Sequence, residues 1–154
     1  MRDVPRQERI EEVTDTMLKI NWLDRHRFRS SLAQRGLTMP QFVVLAHLCH
    51  HRQGSAVHQI AEATQQERAT MTGILDRLEH AGLVQRRRSQ SDRRRWIITL
   101  TKEGNDLLET TMRRNHNALS DALVAFDLAE LEQLQRLLGK LLTALQAERE
   151  ARQS

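Results

Sequence analysis

Through the first quarter of the chain, apolar residues recur at steps of three or four: Ile10, Val13, Met17, Ile20, Leu23, Phe28 and Leu32, with charges on the other side. This spacing predicts a long amphipathic helix from Ile10 to about Gln34, stopped by Arg35-Gly36. Thr38-Met39-Pro40-Gln41 opens the next helix. Thr38 caps it, Pro40 fits its first turn, and Gln41 completes a Thr-x-x-Gln capping box. Phe42, Val43, Leu45, Ala46 and Leu48 are its expected buried stripe, and Gly54-Ser55 ends the segment.

Val57 to Thr64 reads as a short helix with Ile60 and Ala61 inward. After Gln65-Gln66 comes a helix from about Glu67 to His80, with Met71, Ile74, Leu75 and Leu78 at helical spacing. Two helices joined by so tight a turn suggest a helix-turn-helix. Ala81-Gly82 ends the pair, Leu83-Val84 opens a strand, and Trp96-Ile97-Ile98-Thr99-Leu100 returns as the β-branched partner strand. A helix-turn-helix followed at once by a hairpin is the plan of a winged helix. Thr101-Lys102-Glu103-Gly104 then starts a helix running to about Phe126, and Asp127-Leu128-Ala129-Glu130 is a second capping box. The last helix carries leucines from Leu128 to Leu145 in a stripe too rich for an ordinary surface helix. It predicts packing of the first and last two helices together and against another copy of the chain, with plain intramolecular core as the alternative.

The expected fold class is therefore mostly α with a small β-hairpin wing. One domain spans residues 1–154, with a winged helix-turn-helix part at 37–101 and a helical dimerisation part at 8–36 and 102–148. Its 154 residues suffice to bury a core, and 39% hydrophobic with 29% charged residues fits a globular chain. No apolar run approaches the roughly 20 residues that span a bilayer, and Met1 to Arg9 lacks the apolar stretch of a signal peptide. The expected location is the cytoplasm, with no membrane contact. Cys49 is the only cysteine, which excludes an internal disulfide and fits a reducing compartment.

Charge changes the picture at one place. Arg86 to Arg95 reads R-R-R-S-Q-S-D-R-R-R, six arginines against one aspartate, which outweighs the +4 of the whole chain. The remainder is slightly acidic, so a focused cationic prong meets a polyanion, of which nucleic acid is the commonest. Arginine suits a narrow minor groove, since its guanidinium is weakly hydrated and drawn to the negative potential there. Arg86 to Arg88 are expected to lie along the first strand and meet phosphates, with Arg93 to Arg95 forming the prong around Asp92, which fixes the shape of the tip. On the preceding helix Arg68, Thr70, Thr72 and Arg77 face away from the apolar stripe, as a helix reading a major groove requires.

Val84-Gln85-Arg86, Ser91-Asp92-Arg93-Arg94 and Ile98-Thr99-Leu100-Thr101-Lys102-Glu103-Gly104 resemble the signature of the MarR family of bacterial transcription regulators. Leu75-Asp76-Arg77-Leu78-Glu79, Gly82-Leu83-Val84 and the opening Gly36-Leu37-Thr38 with Gln41-Phe42 are similar to further motifs of that family, in the same order, over about residues 10 to 145. The resemblance implies a homodimer presenting two winged helices to a pseudo-palindromic operator in double-stranded DNA. It implies Arg94 as the minor-groove arginine with Arg93 and Arg95 beside it, Asp92 as the wing aspartate, and Thr70, Thr72 and Arg77 as DNA contacts. It further implies repression relieved by a small phenolic or other anionic effector. The chain departs from the family pattern at Thr64-Gln65-Gln66-Glu67, where a hydrophobic residue, a Gly and a capping Ser are usual, and at Gly73.

Three features remain as sensor candidates. Trp22, His26 and Arg29, at i, i+4 and i+7, offer an aromatic plate and a cation to a planar anion, and a tryptophan at a dimer interface explains Trp22 equally well. His47, Cys49, His50 and His51 cluster at the end of the second helix, where His47 and His51 have the spacing of a shared metal. Capping of the helix C-terminus explains the histidines without a metal, and burial explains the cysteine without redox chemistry, so no metal or cofactor is expected. An enzyme is not expected either: no Gly-rich phosphate loop, paired-carboxylate pocket or nucleophile with a base is recognisable. The competing class is a winged helix serving as an architectural or protein-interaction module with little sequence specificity.

Overall fold

The computed structural model describes residues 5–88 and 96–152. Six helices and three short strands follow in the order α1 (Arg6–Ala33), α2 (Met39–His50), β1 (Ser55–Ala56), α3 (Val57–Ala63), α4 (Arg68–His80), β2 (Val84–Arg88), β3 (Trp96–Leu100), α5 (Lys102–Leu123) and α6 (Leu128–Ala151). The chain forms two compact units, Met1–Asn115 and His116–Ser154. No helix among the described residues is long and apolar enough to cross a membrane.

Both predicted capping boxes form. The Gln41 amide donates to Thr38 Oγ1 at 3.4 Å while Gln41 Oε1 accepts from the Thr38 amide at 2.8 Å. At α6 the Glu130 amide donates to Asp127 Oδ1 at 2.9 Å and the Asp127 amide to Glu130 Oε2 at 3.0 Å. Each box satisfies two amides that the start of a helix leaves open, which is why both boundaries were readable locally.

The core of the first unit lies where α2, α3, α4 and the sheet meet. Val44, Leu45 and Leu48 come from α2, Ile60 and Ala61 from α3, and Met71, Ile74, Leu75 and Leu78 from α4. Val84 and Ile98 contribute from the strands, and Leu32 and Leu108 reach the same cluster from α1 and α5. Phe28 of α1 packs edge-on against Phe42 of α2 at 4.9 Å. The expected stripe of α2 is corrected by one residue: Val43 is 38% exposed, while Val44 has no exposed surface. Packing centres on Val44, Leu45 and Leu48, and Val43 sits about 100° round the helix from its neighbour.

The sheet runs β1-β3-β2, all antiparallel, with Val84 opposite Leu100 and Arg86 opposite Ile98. Strand β1 pairs Ser55 with Ile98 and Ala56 with Ile97. It was not readable in the sequence, because two residues carry no period. Gly54 makes the pairing possible: its φ is +86°, and a Cβ there would meet the Ile98 carbonyl oxygen at 2.5 Å. At the other end of β3, Thr101 Oγ1 donates to the Gly82 carbonyl at 2.7 Å and accepts from the Gly104 amide at 3.0 Å. This one hydroxyl ties the start of α5 to the exit of α4.

The long apolar stripes end differently. Within α1 only Leu32 is buried, and the buried residues of α5 are Gly104, Leu108 and Thr111, all in its first half. No residue of α6 is buried.

The glycines test this packing with opposite signs. A Cβ at Gly104 would lie 2.1 Å from the Leu83 carbonyl oxygen, whereas one at Gly73 meets nothing within 4 Å. Gly104→Ala is expected to destabilise the protein by about 1–3 kcal/mol, and Gly73→Ala to stabilise it by about 0.5–1 kcal/mol. Urea titration followed by circular dichroism measures both.

Candidate nucleic-acid interface

Helix α3 closes where Thr64 Oγ1 donates to the Ile60 carbonyl at 2.7 Å and the Gln66 amide donates to the Ala61 carbonyl at 2.9 Å. Gln65 supplies the sharp bend with φ +53°, the one positive φ at a non-glycine among the described residues. Glu67 follows as N-cap of α4 with extended backbone and makes no side-chain capping bond. The turn so built leads into α4, whose apolar side is sunk into the core.

That burial decides which residues α4 offers outward. Arg68, Thr70, Thr72 and Arg77 are all exposed, opposite the fully covered Met71, Leu75 and Leu78. Thr72 Oγ1 donates to the Arg68 carbonyl at 3.1 Å, so its hydroxyl proton is used within the helix and its lone pairs face out. The face can donate through two guanidinium groups and accept through hydroxyls, which is the repertoire for base edges and phosphates.

The three described arginines of the wing are all engaged inside the molecule. Arg86 forms a hydrogen-bonded ion pair with Asp76, and its Nε lies 3.2 Å from Glu79 Oε2. Its Nε is enclosed and lacks hydrogen-bond alignment, so the contact with Glu79 is an ion pair only. Arg87 Nη2 donates to the Gln53 carbonyl at 2.6 Å, and the Arg88 guanidinium stacks 4.0 Å from the centre of the Trp96 ring. The expectation that Arg86 to Arg88 serve as phosphate contacts thus meets three side chains that already have partners. Asp92, Arg93, Arg94 and Arg95 lie outside the described residues. Asp76 and Glu79 were not singled out from the sequence. Their one signal was a carboxylate pair three residues apart on α4, and nothing local ties such a pair to an arginine on a strand.

The sensor candidates separate in space. Trp22 and His26 stack with ring centres 5.4 Å apart and planes 12° from parallel, and Trp22 is 64% exposed. The open groove beside Trp22, about 430 Å³, is lined by Asp15, Leu18 and Lys19 rather than by His26 or the exposed Arg29. His47 and His51 stack face to face, 4.1 Å between centres. Nε2 of His47 is 3.1 Å from Ser55 Oγ, and Nδ1 of His51 bonds the His47 carbonyl at 2.8 Å. Burial, and then the neighbouring His51 and His50, hold the His47 pKa below its ordinary value of 6.5. Cys49 lies 3.9 Å from Asn105 Oδ1, in a cavity of about 370 Å³ lined also by Leu48, Leu100, Arg52, Lys102 and Glu109. Its lining comes from segments some fifty residues apart in the chain, so no sequence window contains it.

Comparison with known proteins places this geometry. The model of the MarR family matches residues 37–96. The chain is similar to the transcriptional repressor MprA of Escherichia coli strain K12, at 36% identity over 78 residues, 51% of this chain and 44% of MprA. It thus spans less than half the length of that relative. It is also similar to the transcriptional repressor YetL of Bacillus subtilis strain 168, at 31% identity over 134 residues, covering 85% of this chain and 77% of YetL. Among solved structures, a MepR variant of Staphylococcus aureus bound to an oligodeoxyribonucleotide superposes with a TM-score of 0.75 at 27% identity, over 86% of this chain and 97% of the other.

Two expectations follow from the site's own strain and titration. Gln65→Gly is expected to stabilise the protein by up to about 1 kcal/mol by relieving the positive φ, and Glu67→Ser to add about 1 kcal/mol as a side-chain cap; thermal melts of the two single variants read each gain. The His47 pKa is lower in the folded than in the unfolded chain, so the unfolded state binds the proton first; the contribution of His47 to stability is present above pH 6.5 and is lost as pH falls below that value. Melting temperatures measured across this range should drop more for the wild type than for His47→Gln, and equal drops would show that His47 is not linked to folding.

Proposed function

The chain belongs to the MarR family, and from that premise we propose that it is a homodimeric, sequence-specific DNA-binding repressor of transcription, released from its operator by a small anionic or phenolic effector. The observation that carries this reading is the division of α4 into a buried apolar side and an outward side bearing Arg68, Thr70, Thr72 and Arg77. In this reading the helix at 67–80 enters the major groove, where its first turns approach base edges, and the wing at 86–95 enters the adjacent minor groove. Arg94, flanked by Arg93 and Arg95 and shaped by Asp92, reads groove width and potential there. Arg86 then serves the wing through Asp76 and Glu79 rather than through phosphate.

The dimer is supported by apolar surface that one copy leaves uncovered. Leu23 on α1 is 60% exposed, and Leu128, Leu138 and Leu142 on α6 are 72%, 50% and 58% exposed. Soluble single chains rarely keep such continuous stripes open, and a second copy covering residues 8–36 and 102–148 removes them from water. Two copies related by a twofold axis match a pseudo-palindromic operator, one half-site per winged helix. The effector reading rests on the cavity beside Cys49, where the side chains of Leu48 and Leu100 and two cations, Arg52 and Lys102, against the one carboxylate of Glu109 suit a small anion with an apolar body. The stacked Trp22 and His26, with Arg29 further along, are the second platform for such a molecule. A cytoplasmic location follows from the role.

The test is selection of a preferred duplex from a randomised pool, followed by affinity measurement over a range of salt. The expected outcome is a short inverted repeat bound at least about a thousandfold more tightly than a scrambled duplex, with a log-log salt slope of about −0.9 per phosphate neutralised. Arg77→Ala and Arg94→Ala are each expected to weaken it about tenfold or more, and size-exclusion chromatography should give a dimer. A specificity ratio near one would make the protein an architectural winged helix instead.

A further inference from the structure

We propose that Arg86 is a positioning residue, locking the wing to the reading helix through Asp76 and Glu79, and that it makes no contact with DNA. The inference rests on the reading of α4 and the wing as the DNA-binding elements. Its basis is the register of the sheet. Arg86 stands directly opposite Ile98, which is fully buried, and opposite side chains of an antiparallel pair share one face. The side chain of Arg86 therefore leaves β2 on the side that packs on the helices, unlike its neighbours Gln85 and Arg87. It retains only 30% of its exposure.

On that side it meets α4. Asp76 and Glu79 stand three residues apart, one turn along the helix, and the guanidinium bridges them with Nη2 on the first carboxylate and Nε on the second. A planar fork spans two carboxylates in this way; a lysine ammonium offers a single charged point. The bridge fastens β2, and with it the hairpin that carries the wing, to the C-terminal half of the helix whose first turns face outward. Two elements that must enter neighbouring grooves together are thereby held in one relative position before DNA arrives, so that less freedom is lost on binding.

The charges make the idea testable by sign. Asp76 and Glu79 sit on the DNA-binding side of a protein whose partner is a polyanion, so neutralising both, with Arg86 released, strengthens binding on electrostatic grounds alone. If they serve to hold Arg86, neutralising them weakens binding instead. The experiment compares wild type, Arg86→Gln, Arg86→Lys and the double variant Asp76→Asn with Glu79→Gln, each confirmed as folded by circular dichroism, on the selected duplex. The expected result is a loss of roughly three- to tenfold in affinity for all three variants, with hydroxyl-radical protection of the minor groove reduced and guanine protection in the major groove retained. The salt slope of Arg86→Gln should equal that of the wild type, since no phosphate contact is removed.

The proposal is overturned if the double variant binds as tightly as wild type or more tightly, if Arg86→Lys is indistinguishable from wild type, or if Arg86→Gln lowers the salt slope by about 0.9, the signature of a lost phosphate contact. Should the double variant fail to fold, the salt slope of Arg86→Gln and the affinity of Arg86→Lys still decide; should an Arg86 variant fail, the sign of the double variant does. Absence of any duplex preference in the wild type would instead remove the regulator reading itself.

Discussion

Burial of one side of α4 is the constraint on which the rest of the structure depends. Met71, Ile74, Leu75 and Leu78 close the core between α2, α3 and the sheet, and Met71, Leu75 and Leu78 are completely enclosed. Once that stripe is inside, the outward direction of Arg68, Thr70, Thr72 and Arg77 follows from the helical repeat, with no further interaction needed. A single polar substitution in the stripe would leave an unpaired group in the interior, so the outward face depends on the apolarity of the inward one.

Around this helix the structure distributes its positive charge unevenly. Arg68 and Arg77 are exposed on α4, while Arg86, Arg87 and Arg88 on β2 contact Asp76 and Glu79, a backbone carbonyl and an indole ring. A run of arginines that looks uniform in the sequence therefore contains side chains with different tasks. Two features of the turn carry a cost in stability, the positive φ at Gln65 and the uncapped N-terminus at Glu67, and both lie at the outward end of α4. Strained backbone and missing caps of this kind persist because the surrounding packing over-determines them, here the core that holds α3 and α4 on either side of the turn.

Much of the fold could be read from the chain because its determinants are local. The capping boxes at Thr38 and Asp127, the stripe of α4 and the strands on either side of the arginine run are all written within windows of a few residues. What escaped had a determinant elsewhere in the chain. Strand β1 exists only because β3 offers it a partner, and the phase of α2, with Val44 inside and Val43 outside, is set by what packs on it. The cavity beside Cys49 and the bridge from Arg86 to Asp76 and Glu79 each join residues that no local pattern relates.

The sequence by itself determined the order and kind of the elements, the polar face of α4 and the concentration of arginine between the two hairpin strands, since periodicity, caps and charge are properties of short segments. Only the tertiary structure decided which arginines are spent within the molecule and which residues beside α4 hold them. The reason is physical: a guanidinium takes its role from the carboxylate, carbonyl or ring within a few ångströms, and for Arg86 those groups are brought close by the packing of a strand on a helix, not by neighbourhood along the chain.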